Sequence, residues 1–175
     1  CKIVAILKAF GMIQACQFYD KDMVIKATAG RPDMGAGYIQ AGKKVEIPVY
    51  IGVGEIAVSK NPANVLVTSL GSCVAVIMLA PAISAAGLAH VALPSSSVNV
   101  TQSIGKPGYY ADTAIPKLLK EMDKLHGGRH GRLLIKLVGG ANIMDPNNTF
   151  DIGKRNVLAI KKILWENRLG VLVED

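Results

Sequence analysis

The 175-residue chain is long enough for one domain with a sizeable core, is half apolar, and carries a formal charge of +7. That charge, with a pI near 9.4, favours acidic partners. Phe, Trp and Tyr make up only 5% of the residues and no basic run is interleaved with them, which argues against base-stacking recognition of nucleic acid.

Residues 1–19 are apolar, but Lys2, Lys8, Gln14 and Gln17 interrupt them and no signal-peptide cleavage pattern follows. Cys1 could act as a lipidated terminus or as a nucleophile using its own amine. The three cysteines, Cys1, Cys16 and Cys73, are an odd and sparse set. They make a poor disulfide framework and suit a reducing, cytoplasmic compartment. Residues 20–46 are Gly- and Lys-rich and poorly periodic, so 1–46 forms an N-terminal extension, loop-rich or flexible, ahead of a domain at 47–175.

From Ile47 the texture changes. "IPVYIGVGEIAVSK" is rich in β-branched residues and stops at the turn signal "NPAN". "VLVTSL", "CVAVIMLA" and "GLAHVAL" follow as short apolar strands that expect cover on both faces. They lie in a stretch, residues 61–105, without a single Asp, Glu, Lys or Arg. Mean hydropathy is +0.32, yet Gly71, Pro81, Gly87 and Pro94 break the stretch, whereas a spanning helix needs roughly 20 unbroken apolar residues.

"ADTAIPKLLKEMDKLH" sets Ala111, Ala114, Ile115, Leu118, Leu119, Met122 and Leu125 on one helical face, with Asp112 as cap and Pro116 in the first turn. "RLLIKLVGGA" predicts a strand and a glycine turn. "DIGKRNVLAIKKILWENRLG" predicts a helix capped by Asp151 and stopped by Gly170, and "VLVED" a last strand. The class is α/β or α+β, a layered sandwich of mixed β-sheet covered by helices.

The uncharged stretch holds one thiol and one imidazole, Cys73 and His90. An imidazole in reach of a thiol can make it a nucleophile, and the two strands need only be neighbours for the side chains to meet. Gly71 would let the backbone amides just before Cys73, at Ser72, turn towards a developing oxyanion. The competing expectation is a small core hydrophobe beside a satisfied core histidine. A zinc site from His90, His126 and His130 lacks paired cysteines or carboxylate spacing. "GVGEIA" lacks the Lys-Ser/Thr of a phosphate loop, and Glu121 and Asp123 belong to a solvated helix face.

Taken together, "GEIAVSKNPANVLVTSLGSCVAVIMLAP", "GLAHVALP", "GYYADTAIPKLL", "KLVGGANIM" and "IGKRNVLAIKKIL" resemble the CheD family of chemoreceptor glutamine deamidases, from about residue 51 to 175. The resemblance implies hydrolysis of glutamine side-chain amides of methyl-accepting chemoreceptors to glutamate, with release of ammonia. It implies a fold similar to a toxin-type Cys–His deamidase, with no metal or organic cofactor. Under it Cys73 is the nucleophile and His90 the general base and acid. The third member is Thr68, with Ser69, or Val67 by an ungapped comparison, as alternatives. "GGANIM", with Gly139, Gly140 and Ala141, lines the site or serves as a tight strand-to-loop turn. Partners implied are receptor helices, whose Glu-rich surface suits a basic protein, and the CheC phosphatase, binding to which would be the alternative, non-catalytic role. The family continues past "VLVED", so a C-terminal segment is expected to be missing here.

Overall fold

The computed structural model describes residues 47–127, 131–141 and 151–174, together with the backbone of 2–6 and 22–23. Cys1, Cys16, His130 and residues 142–144 lie outside the described residues.

Two sheets carry the architecture. The first contains β1 (Lys2–Ile6), β2 (Asp22–Met23), β3 (Ile47–Tyr50) and β5 (Asn64–Leu70) in the order β2-β1-β5-β3. The second contains β4 (Ile56–Ser59), β6 (Val74–Ala80), β7 (Ala85–Val91), β8 (Leu134–Gly139) and β9 (Val171–Glu174) in the order β4-β7-β6-β8-β9. Both are mixed: β3 runs parallel and β1 antiparallel to β5, and β9 runs parallel to β8. The helices are α1 (Val100–Gly105), α2 (Ala111–Leu125) and α3 (Ile152–Glu166).

The apolar run of β6 is buried at every residue because its two faces serve two cores. Ala75, Ile77 and Leu79 pack with Ala86 and Leu88 of β7 against Leu66 and Leu70 of β5, between the sheets. Val74, Val76 and Met78 pack with Ile115, Leu118 and Met122 of α2 and Ile160 and Leu164 of α3. The layers are therefore sheet, sheet, helices, and each large core side chain adds roughly 1.5–3 kcal/mol of transfer free energy. No helix among the described residues is long and apolar enough to cross a membrane.

The sandwich covered by helices follows the sequence pattern, and so do the strand positions and the buried face of α2. Local details differ. Asp112 does not cap α2: the helix starts at Ala111 with Tyr110 at its cap, and the Asp112 carboxylate instead accepts hydrogen bonds from Ser96 N–H at 2.8 and 2.9 Å and from the hydroxyls of Ser95 and Ser96. It ties down the turn after β7. Pro116 consequently falls in the second helical turn, as the sixth residue of the helix, where its ring interrupts the hydrogen-bond ladder. Asp151 occupies the cap position of α3 in a left-handed conformation, but its side chain makes no capping bond. The left-handed residue that ends α3 is Arg168, at φ +58°, before Gly170 is reached. Glu121 is ion-paired with Lys117 and Lys124 at 3.0 and 2.9 Å rather than simply solvated. The short α1, in the uncharged stretch, has no apolar periodicity that announces it.

Leu118 is fully buried at the centre of the helical layer. Leu118→Ala should lower the free energy of unfolding by about 2–5 kcal/mol, measured by urea titration followed by circular dichroism.

Candidate active site

Alternation along β5 selects the hydroxyl that reaches the inter-sheet gap. Leu66 and Leu70 face the second sheet, so Thr68 does too, and it is 2% exposed. Val67 and Ser69 point to the opposite face, and Ser69 is exposed. Of the three candidates for the third position, only Thr68 meets the imidazole. Its Oγ1 donates to the Ile51 carbonyl at 2.7 Å and lies 2.7 Å from His90 Nδ1. A hydroxyl has one proton, and here it goes to Ile51, so the Nδ1–H of His90 must donate to Thr68. The neutral ring then carries its lone pair on Nε2, which is buried and has no hydrogen-bond partner among the described residues.

Cross-strand register brings the thiol to the same face. His90 pairs with Ala75 in the antiparallel β6–β7 ladder, and Ala75 points into the inter-sheet core. Cys73 lies two residues before Ala75 and packs against that same core. Extending that register by two residues puts Cys73, in the bend just ahead of the ladder, on the same side as His90, but no hydrogen bond joins the thiol to the ring. His90 is 2% exposed, whereas Cys73 is only partly buried and is a free thiol. The dry side of the pair is the imidazole and the accessible side is the sulfur. Cys73 sits in the bend at 71–73, with Gly71 and Ser72, immediately before β6 starts at Val74.

Two glycine turns hold these backbones. Gly139, at φ +104°, pairs with Val74, and a Cβ there would sit 2.5 Å from the Cys73 carbonyl oxygen. The Gly140 N–H donates to that carbonyl at 2.8 Å. "GGA" therefore braces the Cys73 backbone, and the Gly140 amide is spent on this contact rather than left for an oxyanion; Ala141 continues the turn, half-buried. A cleft of ≈ 410 Å³ opens at this turn, lined by Gly139, Gly140, Asp151, Lys154, Leu158 and Lys161.

The second turn is "GVGE", residues 52–55. The Glu55 N–H donates to Gly52 C=O, and Gly54, at φ +81°, supplies the left-handed third position. Gly54 N–H donates to His90 C=O at 3.0 Å while His90 N–H donates to Glu55 C=O at 3.1 Å. Two residues thus face one, as in a glycine bulge, a device that re-aims a side chain beside a site. Sequence reasoning found no role for this turn or for the Ile51 carbonyl. The available signal was a Gly at the third place of a four-residue turn directly before a β-branched run.

Burial sets the electrostatics. It pushes the Cys73 thiol above its ordinary value of 9.0 and holds His90 below 6.5, the latter partly offset by the hydrogen bonding at Ile51 and by the charge of Glu55. Burial thus biases the thiol and the imidazole alike towards their neutral forms. Among the described residues, no group of three or more His, Cys, Asp or Glu side chains is placed to hold a metal ion; His126 stands at the C-cap of α2.

A thiol, an imidazole with its acceptor nitrogen bare and a hydroxyl that orients the ring are the groups that thiol-dependent acyl transfer requires. Comparison with known proteins gives the family. The model of the family described as "CheD chemotactic sensory transduction" matches residues 92–175. The chain is 50% identical over 127 residues, 71% of this chain and 78% of the relative, to the "Probable chemoreceptor glutamine deamidase CheD" of Syntrophotalea carbinolica. It is 43% identical over 125 residues, 71% of this chain and 76% of the relative, to the "Chemoreceptor glutamine deamidase CheD" of Thermotoga maritima. A CheD of Syntrophus aciditrophicus is 38% identical over 128 residues, 73% of this chain and 79% of that relative. The chain belongs to the CheD family.

Two outcomes check this geometry. Because burial holds Cys73 as a thiol, alkylation by iodoacetamide, read by mass spectrometry at the Cys73 peptide, should be slow at neutral pH and climb as pH rises past 9.0. Gly139→Ala should destabilise the fold by about 1–3 kcal/mol in thermal melts, because a side chain is forced into a left-handed position and its Cβ meets the Cys73 carbonyl.

Proposed function

We propose that this protein hydrolyses glutamine side-chain amides of chemoreceptors to glutamate, with Cys73 as nucleophile, His90 as proton carrier and Thr68 as orienting group. The observation that carries the reading is the Thr68–His90 hydrogen bond, which leaves Nε2 as a bare base in the gap that Cys73 shares. The names of the relatives supply the substrate class.

The chemistry follows from the resting protonation. As the Cys73 sulfur forms its bond to the amide carbon, its proton passes to His90 Nε2 and the carbonyl π pair moves onto oxygen. Backbone amides of the 71–73 bend, at Ser72 and Cys73, are the candidate donors to that oxyanion. Collapse breaks the C–N bond, the nitrogen takes the proton from Nε2, and ammonia leaves a thioester. Water then gives a proton to Nε2 and attacks the thioester carbon; collapse breaks the C–S bond, the sulfur recovers its proton, and glutamate is released. Thr68 holds the ring orientation through both halves, as the buried acid does in serine hydrolases, but without its charge. A neutral orienting group stabilises the imidazolium less, which suits a slow regulatory modification.

The test is mass spectrometry of a purified receptor signalling domain incubated with the protein. Wild type should convert discrete glutamines to glutamates, and Cys73→Ala should convert none. Conversion undiminished in Cys73→Ala would remove the thiol mechanism and leave docking to the CheC phosphatase as the surviving role. Thr68→Val should lower kcat roughly 10–100-fold with little change in KM, since only ring orientation is lost. Because burial holds His90 below 6.5, the base stays unprotonated through neutral pH. kcat/KM should therefore fall only as pH drops below 6.5.

A further inference from the structure

The mechanism assigns a positive imidazolium to a dry gap whose third member is neutral, so something must answer that charge. The 51–55 turn supplies a carboxylate. Glu55 is the second residue of the bulge opposite His90 and accepts the His90 N–H on its backbone oxygen. Its side chain folds back to accept the Gly52 N–H at 2.8 Å, which fixes the carboxylate over the turn. The same segment ends at Ile51, whose carbonyl takes the Thr68 proton. One turn thus holds the backbone of His90, the hydroxyl that orients its ring and a negative charge. That charge favours the protonated ring, against the burial that disfavours it.

We propose that Glu55 is a positioning residue of this site: it locks the turn beneath His90, and its charge stabilises the imidazolium formed when His90 takes the Cys73 proton. The proposal rests on the thiol–imidazole mechanism above for its catalytic consequence, but not for its electrostatic one. Other groups facing His90 from neighbouring elements, among the described residues, are the neutral Thr68 of β5 and the Cys73 thiol ahead of β6. Lys106 and Tyr109 pack against Gly54 from the segment before α2. Because Glu55 is exposed, along a cleft of ≈ 530 Å³ that also touches Ile51, Gly54, Lys106, Lys117 and Glu121, its influence must be sensitive to salt.

Glu55→Gln separates the two parts, since glutamine can still accept the Gly52 N–H but carries no charge. The direct readout is the titration of the His90 ring by NMR in the full chain, with the signal assigned by its loss in His90→Gln. In Glu55→Gln at low salt the ring should titrate at lower pH than in wild type. About 1 M salt should move wild type towards the variant and leave the variant almost unchanged. kcat for glutamine conversion should fall several-fold with KM held, and the acid limb of the pH profile should shift the same way as the titration. Glu55→Ala, which also loses the bond to Gly52, should add a loss of thermal stability that Glu55→Gln does not show. Identical His90 titration in wild type and Glu55→Gln, with circular dichroism showing both folded, would overturn the proposal. A shifted titration in a protein that converts no receptor glutamine would refute the deamidase reading instead, and leave the electrostatic coupling standing.

Discussion

A single hydroxyl proton decides the direction of the site. Thr68 can donate once, and the Ile51 carbonyl 2.7 Å away takes that donation. The imidazole is then forced to donate its Nδ1–H to Thr68, and its basic nitrogen is left, among the described residues, without a partner in a buried place. A buried polar atom without a partner costs roughly 1–3 kcal/mol, and such atoms are uncommon enough in native proteins to call for an explanation. Here the unsatisfied acceptor shares a sheet face with a partly exposed thiol. The cost falls at the place where the proposed mechanism has a proton received.

The layering makes this possible. Thr68 belongs to the first sheet and His90 to the second, so their bond crosses the gap between them, while Cys73 lies in the bend just ahead of β6, two residues before Ala75, the partner of His90. The apolar β6 and β7 provide a floor with water excluded on the imidazole side. The polar backbone of the two glycine turns grips the carbonyls of Cys73 and His90 from either side of the pair. The floor also explains why both groups rest neutral, because burial opposes thiolate and imidazolium alike. In the proposed mechanism charge is created only when a substrate carbonyl arrives to accept the sulfur, which would protect the thiol in between.

Much of this was legible in the sequence, and the failures share a cause. Strands 64–70, 74–80 and 85–91 announce themselves as uncharged, mostly apolar runs, and the apolar stripe of α2 matches the residues that are buried. Alternation puts Thr68, and not Val67 or Ser69, on the face of Leu66 and Leu70, but which face meets the imidazole depends on the second sheet. Caps were misassigned because an Asp near a helix start has several donors to choose from. Asp112 found the Ser95–Ser96 turn, which is distant in sequence and close only in the fold. The "GVGE" turn carries no local motif that points to its partner, because that partner, the backbone of His90, is a tertiary neighbour. Residue type and period therefore located the thiol and the imidazole, whereas the groups that hold them act through backbone atoms on which sequence identity leaves little mark.

The central claim is the tautomer of His90, and nitrogen-15 NMR of the ring at a pH where it is neutral reads it directly. The account predicts a protonated Nδ1 and an unprotonated Nε2 in wild type, with that preference lost in Thr68→Val. A wild-type ring carrying its proton on Nε2 would contradict it, because the nitrogen facing the gap could then accept nothing from Cys73.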